Sequence, residues 1–386
     1  MGNNEKILVV QVAGLGYDFL KLNFGTKWRN YEFSPLEPVF PAVTCVQQAS
    51  FRTASLPLEH GVYGNGFYDK KLKKVFFWEQ SSSIVAGKRI WEQKGNNCNK
   101  TAVLFWQQSL GEDVEIILSP APIHRHHGGM IDACYSKPPH LYDKLCQKIG
   151  FNFKLSSYWG PFASKLSSAW IAQATIALMK DKELSPALCL TYLPLLDYDL
   201  QRYGLSSKKS LSALFDVMNI LNLITDAAER NGYDFLIFGD YAIEPCDNVI
   251  FPNQILKEQN FFSCRNIRGK LYPDFYASEA FAMVDHQVAF VYVKNTANLK
   301  LIKEIFQHTE GIARVLSEEE IKDAGLPPDR TGDLVLIARQ RFWFAYPWWK
   351  EKEEAPDFAS HVDIHNKPGY DPCELLSGWP PWSISS

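Results

Sequence analysis

Short apolar runs return at intervals along the chain: KILVVQV (6–12), TAVLFW (101–106), ALCLTYL (187–193), DFLIF (234–238), VAFVYV (288–293) and DLVLIA (333–338). They lack the strict alternation of a half-solvated strand and are too short for helices, so they read as strands buried on both faces of a parallel sheet. Helical patterns separate them, most clearly over 165–181 and 208–231. In the second, Leu211, Leu214, Phe215, Met218 and Leu221 follow the i, i+3, i+4, i+7 spacing, which assigns that stripe to the core. Strands alternating with helices predict an α/β fold around a mostly parallel sheet. Two stretches break the rhythm, 107–162 (rich in Pro, Gly and His) and 243–284. Both are expected as cap segments inserted into one domain spanning 1–386.

Composition changes this picture mainly by exclusion. With 386 residues, 46% hydrophobic and 22% charged, the chain has the make-up of an ordinary soluble protein. A formal net charge of −3 and no long basic run argue against a nucleic acid polymer as partner. The densest basic cluster, KKLKK (70–74), reads as a solvated hairpin edge. Eight cysteines with no CxxC pair are expected to be reduced, mostly buried thiols. The start, MGNNEKILVVQV, lacks the layout of a signal peptide, a myristoylation site or a membrane span. The expected location is therefore cytoplasmic, or an organelle stroma.

Candidate chemistry gathers just past strand ends, where doubly wound sheets bind their ligands. In FPAVTCVQQASFRTAS (40–55), an extended segment runs into a helix and puts Thr44 at its N-terminus. Unpaired N–H groups there favour a phosphate, and the hydroxyl is either a nucleophile on phosphorus or a simple cap. Asp197 and Asp199 in LPLLDYDLQRYG follow the strand ALCLTYL, and Asp240 follows DFLIF directly. Carboxylates so placed can collect a divalent cation or merely close a turn. If HVDIH is extended, His361, Asp363 and His365 share one face and can converge on a metal. The histidines of IHRHHGG (123–129) read as a solvated loop, and Asp285-His286 as a local contact at a strand entry.

These residues resemble the type I phosphodiesterase/nucleotide pyrophosphatase family of the alkaline phosphatase superfamily, most strongly in FPAVT and TASLPLEHGVYGN (53–65). The resemblance implies a three-layer α/β/α sandwich, two divalent metals (usually zinc), and cleavage of phosphodiester or pyrophosphate bonds through a threonyl-phosphate intermediate. It puts the nucleophile on Thr44 and the phosphoryl-oxygen contact on Asn65. The family's metal ligands carry over only in part. Ala13 stands where its first aspartate ends a strand, Gln201 and Tyr241 replace two histidines beside Asp197 and Asp240, and Pro368 takes the place of a late histidine. His365, three residues before Pro368, is the substitute on this reading. The expectation is one divalent ion (zinc, or manganese or magnesium) on Asp197, Asp240 and His365, completed by Asp199 or His361. A metal-dependent hydrolase of small phosphodiesters or pyrophosphates follows. The alternatives are a non-catalytic descendant that binds a phospho-ligand or partner, and a phosphoryl transferase in small-molecule biosynthesis.

Overall fold

The computed structural model describes residues 6–93, 100–127 and 129–360, with the backbone of 376–377 and 384–385. The chain divides into two compact units, Met1–Ala54 with Gln80–Glu244, and Ser55–Glu79 with Pro245–Ser386.

The first unit is built on a six-stranded sheet of β1 (Lys6–Val12), β2 (Thr101–Leu104), β3 (Ile116–Pro120), β4 (Cys134–Lys137), β5 (Leu188–Leu193) and β6 (Tyr233–Gly239). Their order is β4-β3-β2-β5-β1-β6, and every pairing is parallel except β4 with β3. The segment 107–162, expected to cap this sheet, thus supplies two of its strands. The main helices of the unit are α1 (Thr44–Thr53), α2 (Leu141–Ile149), α3 (Lys165–Met179), α4 (Leu195–Tyr203) and α5 (Lys208–Arg230).

Helices cover both faces of this sheet, and the alternation of side chains along β5 assigns them. Thr191 and Tyr192 point to opposite sides. Thr191 shares a 3.0 Å hydroxyl contact with Thr175 of α3, which fixes α3, and α5 packed beside it, on one face. Tyr192 hydrogen-bonds Thr44, and Phe51 of α1 stacks on Phe238 with ring centroids 5.1 Å apart, so α1 lies on the other.

The apolar stripe of α5 is buried at Leu214, Met218 and Leu221 as expected, but Phe215 is half exposed and meets Phe24 edge-on. Ala213 and Val217 are buried in its stead, which turns the buried face away from Phe215. Among the described residues α5 is also the helix long and apolar enough to cross a membrane, and its apolar stripe is spent on the core.

The second unit holds a four-stranded antiparallel sheet of β7 (Ala280–Asp285), β8 (Val288–Val293), β9 (Ile312–Leu316) and β10 (Leu334–Ala338), in the order β7-β8-β10-β9. VAFVYV and DLVLIA, expected in the parallel sheet, belong here instead. Only His286 and Gln287 separate β7 from β8, and a two-residue link permits a hairpin but no crossover. Apolar residues on both faces reported burial correctly and strand direction wrongly. KKLKK lies at the tip of a hairpin formed by Gly66–Asp69 and Lys74–Phe77, as expected. Among the described residues Cys45, Cys134, Cys146, Cys189, Cys246 and Cys264 are thiols outside any disulfide.

Candidate active site

Strand register assembles the site. β1 pairs with β5 up to Val12↔Leu193 and with β6 up to Val12↔Gly239. The three strands therefore stop level, and the segments that follow them emerge side by side: Ala13-Gly14, the start of α4 with Asp197, and Asp240-Tyr241. Two glycines allow the close approach. Gly14 sits at φ +68°, and a methyl group on it would lie 3.4 Å from the Asp197 Cα. A methyl group on Gly239 would lie 2.3 Å from the Leu15 carbonyl oxygen, so only glycine lets β6 end against this turn.

Asp240 is buried and held from three directions. It accepts the Gln11 amide at 3.0 Å and the Thr44 hydroxyl at 3.3 Å on Oδ2, and the Gly14 N–H at 3.0 Å on Oδ1. Burial pushes its carboxyl up to about 7; the Asp197 charge adds to the rise, while the Gly14 N–H and the Gln11 amide hold it back. Asp197, at the first turn of α4, accepts the Tyr241 hydroxyl at 2.8 Å and both Gln201 amide contacts, 2.8 and 3.0 Å. Burial, reinforced by Asp197, raises the Tyr241 phenol well above its ordinary value. The phenol is thus kept as a proton donor.

Thr44 is the first residue of α1 rather than its cap. Val43 holds the cap position with extended backbone and no side-chain cap hydrogen bond. The Thr44 side chain is free of capping duty and turns to Asp240 and Tyr192. Two adjacent glutamines hold this helix start. Gln47 ties back to the lead-in, accepting the Val39 N–H at 3.0 Å and donating to the Val39 and Pro41 carbonyls at 2.6 and 3.1 Å. Gln48 accepts the Gln107 N–H at 2.6 Å, from the loop after β2. The far end of α1 is pinned by Arg52, which is buried, donates to the Gln107 and Gln108 carbonyls, and pairs with Glu112 at 3.5 Å. Glu112 in turn takes Arg89 at 3.1 Å.

Asp199 does not join this cluster. Asp199 stands two positions after Asp197 on α4, and residues so spaced do not share a helix face. The charges around it are Arg202, Lys209 and Asp216. Asn65 belongs to the second unit, where its N–H and side-chain amide grip Asp285 at 2.6 and 3.1 Å. Asp285 therefore does more than the local contact expected of it. His361, Asp363 and His365 lie outside the described residues. His124, His126 and His127 are exposed at a short hairpin, as expected.

The described residues do not fit the two-metal centre the resemblance implies. Ala13 is fully buried and presents a methyl group. Gln201 and Tyr241 turn protons, not lone pairs, toward Asp197. Gln11 Oε1 is buried with no hydrogen-bond partner, but one neutral amide oxygen is little toward the four ligands zinc takes. Among the described residues no three His, Cys, Asp or Glu side chains come together as a metal site would require.

Sequence reasoning missed Gln11 as the partner of Asp240, and missed Tyr192. The signal for Gln11 was present, since a lone amide inside ILVVQV must be buried, and a buried amide needs a partner.

The parallel sheet flanked by helices, with acids beyond its strand ends, is an alkaline-phosphatase-like α/β scaffold. The profile of the family described as "Type I phosphodiesterase / nucleotide pyrophosphatase" matches residues 23–371. The chain belongs to that family, and its scaffold is that of a phosphodiesterase/pyrophosphatase-type hydrolase. Solved structures agree on the fold. Phosphonoacetate hydrolase from Sinorhizobium meliloti 1021, in complex with phosphonoformate, superposes with a TM-score of 0.64 at 16% identity, covering 89% of this chain and 82% of that one. Murine ectonucleotide pyrophosphatase / phosphodiesterase 5 gives 0.58 at 15% identity, covering 90% and 82%. Its inactive form in complex with AMP gives 0.59 at 16% identity, covering 88% and 80%. A search of curated protein sequences finds no match.

Proposed function

We propose that the protein hydrolyses a phosphodiester or pyrophosphate bond in a small molecule, with Thr44 as the attacking hydroxyl. The observation that carries this reading is the hydrogen bond from Thr44 to the buried carboxylate of Asp240 at the start of α1. The Thr44 oxygen attacks phosphorus while its proton passes to Asp240 Oδ2, and the leaving oxygen departs with its bonding pair. Asp240 gives up that proton to the leaving oxygen or to solvent; water then attacks phosphorus, its oxygen stays on the phosphoryl group, and one of its protons returns to the departing Thr44 oxygen. The unpaired N–H groups at the start of α1 offer donors for the phosphoryl oxygens. Family membership supports the bond type, and structural neighbours bound to phosphonoformate and AMP support a small phosphorus-bearing ligand.

A second reading, a phospho-ligand binder without turnover, is favoured by the Tyr241 and Gln201 donors that engage Asp197. The test is an assay of the purified full chain and of Thr44→Ala on a chromogenic phosphodiester, a phosphomonoester and a pyrophosphate. The hydrolase reading requires turnover of the diester or the pyrophosphate that Thr44→Ala loses. Saturable AMP binding with no product supports the binder, and a phosphorylated product from an added alcohol supports a transferase.

A further inference from the structure

We infer that this chain balances its two strand-end carboxylates, Asp197 and Asp240, with its own hydrogen-bond donors in place of divalent cations. Asp240 is buried and Asp197 partly so, near enough for the charge of one to act on the other, and something must offset their repulsion. Across this site the offset is built from the chain. Asp240 receives the Gln11 amide, the Gly14 N–H and the Thr44 hydroxyl; Asp197 receives the Tyr241 hydroxyl and the Gln201 amide. Hydrogen bonds to a carboxylate are the strong ones, shorter and roughly twice as strong as neutral pairs.

The geometry is specific to this role. The Gln11 amide is aimed by register: it lies on β1 opposite Tyr192 and Phe238, on the face that carries α1. Gly14 adopts a positive φ while its N–H points at Asp240. Tyr241 follows Asp240 directly yet reaches across to the other acid. A cation entering beside either acid would meet the protons of these groups and would have to turn them away. Directly after β1, where the resemblance implies an aspartate, Ala13 presents only a buried methyl group. The set thus acts as a substitute for a metal centre, and the inference holds whether or not Thr44 turns substrate over.

Calorimetric titration of the chelator-treated full chain with Zn²⁺, Mn²⁺ and Mg²⁺ tests this, alongside melting curves with and without EDTA. The expected result is no stoichiometric ion that depends on Asp197 and Asp240, and a melting midpoint unmoved by EDTA. The variant Ala13→Asp/Gln201→His/Tyr241→His should gain zinc binding and a zinc-dependent midpoint. Tight binding of one or two ions by the unaltered chain, abolished in Asp197→Asn/Asp240→Asn, overturns the inference. Binding that persists in that double variant lies elsewhere and supports it. If the triple variant does not fold, the titration of the unaltered chain still decides.

Discussion

Replacing Glu112 by glutamine should destabilise the first unit more than most single changes, because Glu112 is the anion between two buried arginines. The side chains of Arg52, Glu112 and Arg89 are 1%, 5% and 7% exposed, and the contacts are 3.5 and 3.1 Å. At these distances Coulomb's law with an effective dielectric constant near 20 gives about 5 kcal/mol per contact. Part of this sum is offset because Arg52 keeps its carbonyl partners at Gln107 and Gln108, and Arg89 keeps Gly87 and Val85. Removing one partner of a buried ion pair costs roughly 3–5 kcal/mol, a large share of the 5–15 kcal/mol that is typical for a domain. Glu112→Gln should therefore lower the unfolding free energy by that amount, seen as a lower urea midpoint with little change in slope. Arg52→Met/Glu112→Gln restores the original charge balance, so its loss should fall short of the summed single losses by at least about 1 kcal/mol. A Glu112→Gln protein within about 1 kcal/mol of the original would refute the claim that this triad pins α1.

Gly239→Ala should cost about 1–3 kcal/mol by thermal melting, since the new methyl group meets the Leu15 backbone and must displace the strand end that carries Asp240. Tyr241→Phe removes only the hydroxyl that Asp197 accepts, and urea denaturation near neutral pH should register about 1.5–3 kcal/mol. No loss there would argue that Asp197 is compensated by something else. Asp181 is held well below the usual carboxylate range, chiefly by Lys148 with help from Lys144. A carboxyl with a depressed folded-state pKa contributes stability that is complete above its unfolded value of about 3.9 and lost on acidification below it. Asp181→Asn should thus be less stable than the original by the full contribution above about pH 4, with the gap closing as pH falls further towards the depressed folded-state value.

Much of this was legible in the sequence because burial and periodicity report locally. KILVVQV, ALCLTYL and DFLIF became the adjacent strands β5-β1-β6, and Asp197 and Asp240 follow the level ends of two of them. Thr44 fell at a helix start for the same reason. What was not legible depends on partners distant in the chain. Gln11 and Asp240 are 229 positions apart and Tyr241 and Asp197 are 44 apart, so no local pattern announces either contact. VAFVYV and DLVLIA misled because an apolar strand reads alike in a parallel and an antiparallel sheet; the two-residue link at His286-Gln287 was the discriminating sign. Asp197 and Asp199 read as a neighbouring pair in the sequence, whereas helical spacing turns them to different faces.

The most direct test of the functional account is rapid-quench mass spectrometry of the full chain mixed with a diester or pyrophosphate substrate, mapping any covalent phosphorus adduct to its peptide. The account requires an adduct on Thr44, formed and lost within the turnover time, and absent from Thr44→Ala together with its activity. Hydrolysis at the original rate by Thr44→Ala, with no adduct at Thr44 in the unaltered chain, would contradict it.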